Sequence, residues 1–351
     1  MIKRESGADV YRIMGLLFVN MLHACLYNGF YYAPQQGVAM WAANSVRWLT
    51  YGCNAMFMLL TGYLKTTSPY GRRYYKSLVA VLVGYVLTCL ISYPIRYYFI
   101  GERDGIRVWL ERFISFSNYA WYVEMYIGLF LISPLVNLAL DKLEDHRKQW
   151  FLAISILVIT VGHSATKHNL LPDYCGSFYP LALYTLGAVI RRTQPKVPAV
   201  VGLGVAFATA MGLGYVSMKT ATNGFSSGYS QGYGGFWVVL MVAALFLGVY
   251  RLRVDGKAGK VLTFMSGGVF EGYILSRLLD VWIYGKVPQW HSAEKYPLIF
   301  LCITIPVFLI SLSAGKVVNM ISGWVTKQLW KLVDAIPTRK EKVTAEESAR
   351  P

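Results

Sequence analysis

Ten predominantly apolar stretches, most of them near the length a helix needs to cross a bilayer, divide this chain into membrane-sized pieces joined by short basic loops. A hydrocarbon core of roughly 30 Å takes about 20 helical residues, and inside it no water satisfies an open backbone. On that ruler the spans run Val10–Asn28, Ser45–Leu64, Leu78–Ile100, Tyr119–Leu140, Trp150–Gly162, Ser177–Ile190, Val197–Met218, Gly232–Tyr250, Val261–Tyr284 and Leu298–Val318, the fifth and sixth being short. With 55% hydrophobic and only 15% charged residues, the chain is no water-soluble enzyme and no disordered tail. The expected fold class is an all-α, polytopic integral membrane bundle of about ten transmembrane helices.

Charge gives the orientation. If all ten spans cross, loops on the side of the N-terminus carry 23 Lys and Arg and the opposite loops carry seven, which puts both termini in the cytoplasm. The net charge of +16 therefore belongs to a membrane protein's inner loops, and no nucleic-acid module accompanies it. Residues 1–318 read as the membrane domain. In residues 319–351, Ile321, Trp324, Val325, Leu329, Leu332 and Ile336 recur at helical spacing, which predicts an interfacial helix on membrane lipid followed by a polar tail. The Gly-, Ser- and Tyr-rich stretch 220–235 reads as an irregular outer connection. Five cysteines without a C-x-x-C pair offer neither a disulfide framework nor a zinc site, so no metal is expected.

An ionisable side chain inside a bilayer costs about 2.5–3.5 kcal/mol on insertion scales, so each needs a reason. Arg12, Arg47, Arg96 and Arg277 lie within spans or at their ends. The first span holds the most suggestive pair: Arg12 and His23 are eleven steps of about 100° apart, which returns to nearly the same helix face about 16 Å further along. Asp9 precedes Arg12 by one turn, giving D-x-x-R-x10-H. The outer half of the bundle offers Asn54, Glu124, Tyr126, Glu271, Tyr273 and Arg277 as polar contacts for a substrate, and Glu124 and Arg277, at similar depth, are candidates to pair.

With ten residues between its Arg and His on the first span, the sequence resembles the membrane acyltransferase-3 family. Further landmarks follow in order: CNAMFMLLTGYL (Cys53–Leu64) is similar to the family's second-span motif ending in Ser-Gly-Tyr-Leu, with Thr61 in place of Ser. GRRYYKSL (Gly71–Leu78) matches the basic cluster after it, and WYVEMYIGLFLISPLVN (Trp121–Asn137) a Trp-headed, Pro-ended span. FMSGGVFEGYILS (Phe264–Ser276) is similar to a ninth-span pattern, with Ser276 where many members have His.

The resemblance implies transfer of an acyl group, usually acetyl from cytosolic acetyl-CoA, to a hydroxyl of a cell-surface or lipid-linked glycan, in a bacterial plasma membrane. His23 is then the general base, since an imidazole takes a proton from a hydroxyl near neutral pH. Arg12 would order the coenzyme, Arg72, Arg73 and Lys76 would hold its phosphates, because guanidinium forks suit phosphate oxygens, and Tyr63 joins the acceptor contacts. Each residue also has a plain structural reading: His23 as a hydrogen-bonded interhelical residue, Arg12 snorkelling to headgroups, the basic cluster serving topology, and Gly62 with Tyr63 serving close helix packing. The competing function is a transporter or flippase in which His23, Glu124 and Arg277 relay protons or substrate. The string Gly224-Phe225-Ser226-Ser227-Gly228 matches a hydrolase elbow but lacks the strand that elbow needs.

Overall fold

A computed structural model describes residues 6–68, 71–114, 121–165, 173–228, 232–284, 286 and 296–334. Among these residues the chain is all-helical. The helices are α1 (Ser6–Tyr27), α2 (Gly37–Tyr51), α3 (Cys53–Lys65), α4 (Arg72–Ile95), α5 (Ile106–Ile114), α6 (Trp121–Lys142) and α7 (His146–Val161), then α8 (Tyr179–Thr193), α9 (Ala199–Thr220), α10 (Phe236–Val249), α11 (Gly256–Ser266), α12 (Val269–Tyr284) and α13 (Tyr296–Asp334).

Five described helices are long and apolar enough to cross a membrane: α1, α4 with its extension to Ile100, α6, α9 and α13. The other expected spans are helical but short or interrupted, for local reasons. The second breaks at Gly52 into α2 and α3, and the ninth breaks at Gly267 and Gly268 into α11 and α12. At α7 the Asp145 carboxylate accepts from the Arg147 amide at 2.8 Å and fixes the start, while Pro180 opens α8, where its missing N–H costs nothing. Within α4, Pro94 removes a backbone donor, and the next turns widen into a π-helix, Arg96–Ile100, that stops at the left-handed Gly101.

The expected interfacial helix is not a separate element. The tenth span runs on through residue 318 as α13, whose 39 residues reach about 58 Å, nearly twice a hydrocarbon core. Glycines would ordinarily weaken it, but Gly315 sits against the backbone of Gly272 in α12 and of Gly268 just before it, so close approach of two helices replaces what a side chain would contribute. The same device joins α3 to α8: a methyl on Gly62 would overlap the Tyr184 carbonyl, and one on Gly187 the Leu59 carbonyl. Around that crossing lies the main core, including Met58, Leu59, Tyr63, Tyr184 and Phe246. Outward-facing Leu131, Leu135, Phe151, Val158, Phe207 and Leu301 are exposed, an apolar surface that suits lipid rather than water.

Hydrogen bonds tie the helix ends into one basic face. Lys65 donates to Ser77, Arg192 pairs with Asp141 at 2.7 Å and bonds Thr66, Lys76 pairs with Asp334 at 3.4 Å, and Ser6 donates to the Val254 carbonyl. The start of α1 and the end of α13 thus share a face with the ends of α3, α6 and α8. At the opposite face the 221–228 segment is irregular, as expected, and it is pinned: the Phe225 amide donates to the Tyr31 carbonyl at 2.9 Å.

Candidate functional site

Two cavities lie back to back along α1. The first, of about 190 Å³, is walled by Phe57, Leu60, Leu64, Val81, Val269 and Phe270, with Arg12 and Lys65 as its basic residues and Tyr122, Tyr126 and Tyr273 among its aromatic ones. The second, of about 200 Å³, is lined by His23 and Arg277 and by the rings of Tyr27, Tyr31, Tyr51, Trp121, Tyr233 and Tyr273. Tyr273 belongs to both. Its ring meets Tyr122 edge-on at 5.6 Å, Tyr122 meets Phe57 at 5.7 Å, and Trp121 stacks on Tyr233 at 5.4 Å. Consecutive residues of α6 therefore face different compartments, Trp121 on the His23 side and Tyr122 on the Arg12 side.

His23 owes its setting to α12. Its Nδ1 is hydrogen-bonded to the Asp280 carboxylate, and Asp280 is fully buried while the imidazole is 24% exposed. An ionised carboxylate only accepts, so Nδ1 carries the proton and Nε2 keeps a lone pair available. Asp280 escaped the sequence reading. A signal was there: Tyr273, Arg277, Asp280 and Tyr284 follow one another at spacings of four, three and four, a single stripe on α12, and an acid within a span needs a reason as much as an arginine does. The neighbouring Ser276, which stands where the resembled pattern has His, turns its hydroxyl back to the Tyr273 carbonyl.

At the other end of α1, the Asp9 carboxylate accepts from Ser266 at 2.6 Å and from Thr263 at 3.1 Å, tying α1 to α11 one turn before Arg12. Ser266 and Gly267, at the break between α11 and α12, line the Arg12 cavity. The interruption of the ninth span therefore coincides with a cavity wall.

The remaining expected residues separate. Arg277 lines the His23 cavity and Tyr273 lines both, whereas Tyr126, expected on the outer side with them, lines only the Arg12 cavity because α6 turns it to the same side as Tyr122. Tyr63 is buried, its hydroxyl accepting from Arg191 at 3.1 Å, and so serves packing between α3 and α8. Asn54 is buried and lines neither cavity. Glu271 accepts from Asn319 at 3.1 Å and from Ser322 at 3.3 Å, clamping α12 to α13. Glu124 is exposed on α6, and among the described residues no ion pair joins it to Arg277, whose neighbouring acid is Asp280. Lys76 pairs with Asp334 and lies 4.5 Å above the Trp330 ring, away from the Arg12 cavity. Arg72 and Arg73 begin α4 on the basic face, and their side chains lie outside the described residues. Lys65, by contrast, was not singled out from sequence, because a lysine ending a span reads only as topology. Among the described residues no cluster of His, Cys, Asp and Glu suits a metal ion.

Compared with known proteins, residues 5–316 match the family model described as an acyltransferase domain, which is most of the chain. No curated protein and no solved structure matches.

Proposed function

Given that the chain belongs to the membrane acyltransferase-3 family, we propose that it is an integral membrane O-acyltransferase moving an acetyl group from cytosolic acetyl-CoA to a hydroxyl of an extracytoplasmic or lipid-linked glycan. The observation that carries this reading is the pairing of two unlike cavities across Tyr273: an apolar one with cations, and an aromatic one holding a histidine oriented by a carboxylate. A pantetheine arm suits apolar walls, and its phosphates suit Arg12 and Lys65, with Arg72 and Arg73 on the same face. Sugar rings suit flat aromatic walls that also offer hydroxyls.

The chemistry follows from the geometry. His23 Nε2 takes the proton of the acceptor hydroxyl as its oxygen bonds to the thioester carbonyl carbon, and Asp280 stabilises the imidazolium so formed. The C–S bond then breaks, the electron pair leaves with sulfur, and the imidazolium returns its proton to the thiolate. Donor and acceptor meet at Tyr273, the residue common to both walls. In this reading the chain crosses the plasma membrane ten times with both termini cytoplasmic, on the strength of the loop charges.

Thiol release from acetyl-CoA by the purified protein, measured beside His23→Ala, tests the proposal. Release that falls by about 10²–10⁴-fold while acetyl-CoA binding survives supports it. A folded wild type that fails to bind acetyl-CoA would turn the reading toward a transporter. Orientation is checked by cysteine labelling in intact cells: the exposed Ser227→Cys reacts from outside and the exposed Lys257→Cys does not.

A further inference from the structure

The His23 cavity carries more positive charge than the base dyad needs. Arg277 lines it directly, and its Nε is buried without a hydrogen-bond partner. A second guanidinium stands one layer behind: Arg47 of α2, only 5% exposed. It is ringed by Tyr51 at 4.2 Å, Phe225 at 4.3 Å, Trp48 at 4.5 Å and Tyr31 at 5.6 Å, and its Nη1 has no hydrogen-bond partner. Tyr31 and Tyr51 are themselves cavity walls, and Arg47 Nε donates to the Tyr31 hydroxyl at 3.3 Å.

Against these two cations stands one acid. No carboxylate occurs among the described residues lining the cavity, and Asp280, beside it, is engaged by His23. With the imidazole neutral and the carboxylate ionised, Arg47, Arg277 and Asp280 leave one net positive charge, and Arg47, at 5% exposure, is the buried part of it. Burying a charge without a counter-ion is costly, and aromatic faces offset only part of that cost. A structural arginine would be expected to find a buried carboxylate. Arg47 instead has four rings, two of which front the cavity.

We infer that the acceptor taken by the His23 cavity is an anionic saccharide, whose carboxylate or phosphate is drawn to Arg277 and to the field of Arg47 while its ring lies against the tyrosines and Trp121. This rests on reading that cavity as the acceptor's. It narrows the acceptor from glycans in general to those bearing negative charge close to the acylated hydroxyl, and it assigns Arg47 as a positioning residue that acts through Tyr31 and Tyr51.

The test needs no acyl transfer. The full-length protein in nanodiscs is treated with diethyl pyrocarbonate, carbethoxylation of His23 is followed by mass spectrometry, and protection is measured with glucuronate, glucose 1-phosphate and glucose. One or both anionic sugars should protect His23 at concentrations at least tenfold below glucose, the two arms showing whether carboxylate or phosphate is preferred. Arg277→Gln and Arg47→Met should each remove most of that advantage, bringing the anionic sugars to within about twofold of glucose measured on the same variant. Arg277→Lys and Arg47→Lys, which keep the charge, should retain part of it. Equal protection by glucose, no protection by any of the three up to about 100 mM, or an advantage that survives loss of both guanidinium groups would overturn the inference. Thiol release from acetyl-CoA is scored separately, so charge selectivity without acyl transfer would sink the enzyme reading and leave this one standing.

Discussion

The two cavities share a wall but not a chemistry. The one at Arg12 combines aliphatic and phenyl walls with three tyrosines and two cations and no described acid; the one at His23 has five tyrosines among its ten lining residues and holds a histidine, a carboxylate behind it and an arginine. Both are built on α1 and the interrupted α11–α12 segment, since α1 supplies Arg12 and His23, α11 supplies Ser266, and α12 supplies Tyr273 and Arg277. The difference teaches that one helix and its interrupted neighbour can present two unlike cavities toward opposite faces of a bundle, because residues about 16 Å apart along a helix meet different surroundings. What keeps them unlike is the partition of Tyr273, Tyr122 and Phe57.

The sharpest way to break the comparison is to disarm one side alone. Asp280→Asn replaces an acceptor-only carboxylate by an amide that leaves His23 free to take the wrong tautomer, so acyl transfer should fall by about 10²–10⁴-fold. Acetyl-CoA affinity, which the proposed function assigns to the other cavity, should hold, and Asp280→Glu should recover part of the rate. Equal loss of binding and transfer would mean that the pair only holds α1 to α12. Arg12→Gln is the converse. Losing one charge-assisted contact should weaken acetyl-CoA binding by about 10- to 100-fold, while diethyl pyrocarbonate still modifies His23 at the wild-type rate.

Removing the wall itself should have a smaller effect. Tyr273→Ala would merge the compartments and admit water to the thioester, raising acceptor-independent thiol release by on the order of tenfold. Tyr273→Phe keeps the ring and should keep the thioester protected. An alanine variant that folds, binds acetyl-CoA and shows no extra hydrolysis would argue that the partition lies elsewhere.

How much of this was legible beforehand follows from what each signal depends on. Membrane helices and the shared face of Arg12 and His23 depend on composition and on a period of 3.6 residues, which a single chain displays. Gly52 and the Gly267–Gly268 pair were visible as residues, but whether a glycine breaks a helix or lets two helices touch depends on the partner: Gly62 and Gly187 sit inside intact helices against neighbouring carbonyls. Depth along a span was only partly legible, and rotation relative to other helices was not: Glu271, expected in the outer half, is bonded to Asn319 and Ser322 of α13 beyond the expected end of the tenth span, Tyr126 lines the Arg12 cavity, and Asp280, the partner of His23, went unread. The continuity of α13 past residue 318 was hidden because the change from an all-round apolar run to an amphipathic stretch does not say whether the helix breaks between them; the stripe Ile321, Trp324, Leu329 and Leu332 is exposed.

Glu124 offers the smallest expected effect and a clean check on that lesson. From depth alone it was a partner for Arg277. In the folded chain it is exposed on α6, without a described ion pair to Arg277, while Trp121 and Tyr122 of the same helix face the two cavities. Surface substitutions away from such contacts usually change stability by less than about 0.5 kcal/mol. Glu124→Gln should therefore leave thermal unfolding, acetyl-CoA affinity and the charge preference at His23 within about twofold of wild type. A large loss confined to acceptor protection would show that Glu124 reaches the His23 cavity after all, and would cancel the net positive charge on which an anionic acceptor rests.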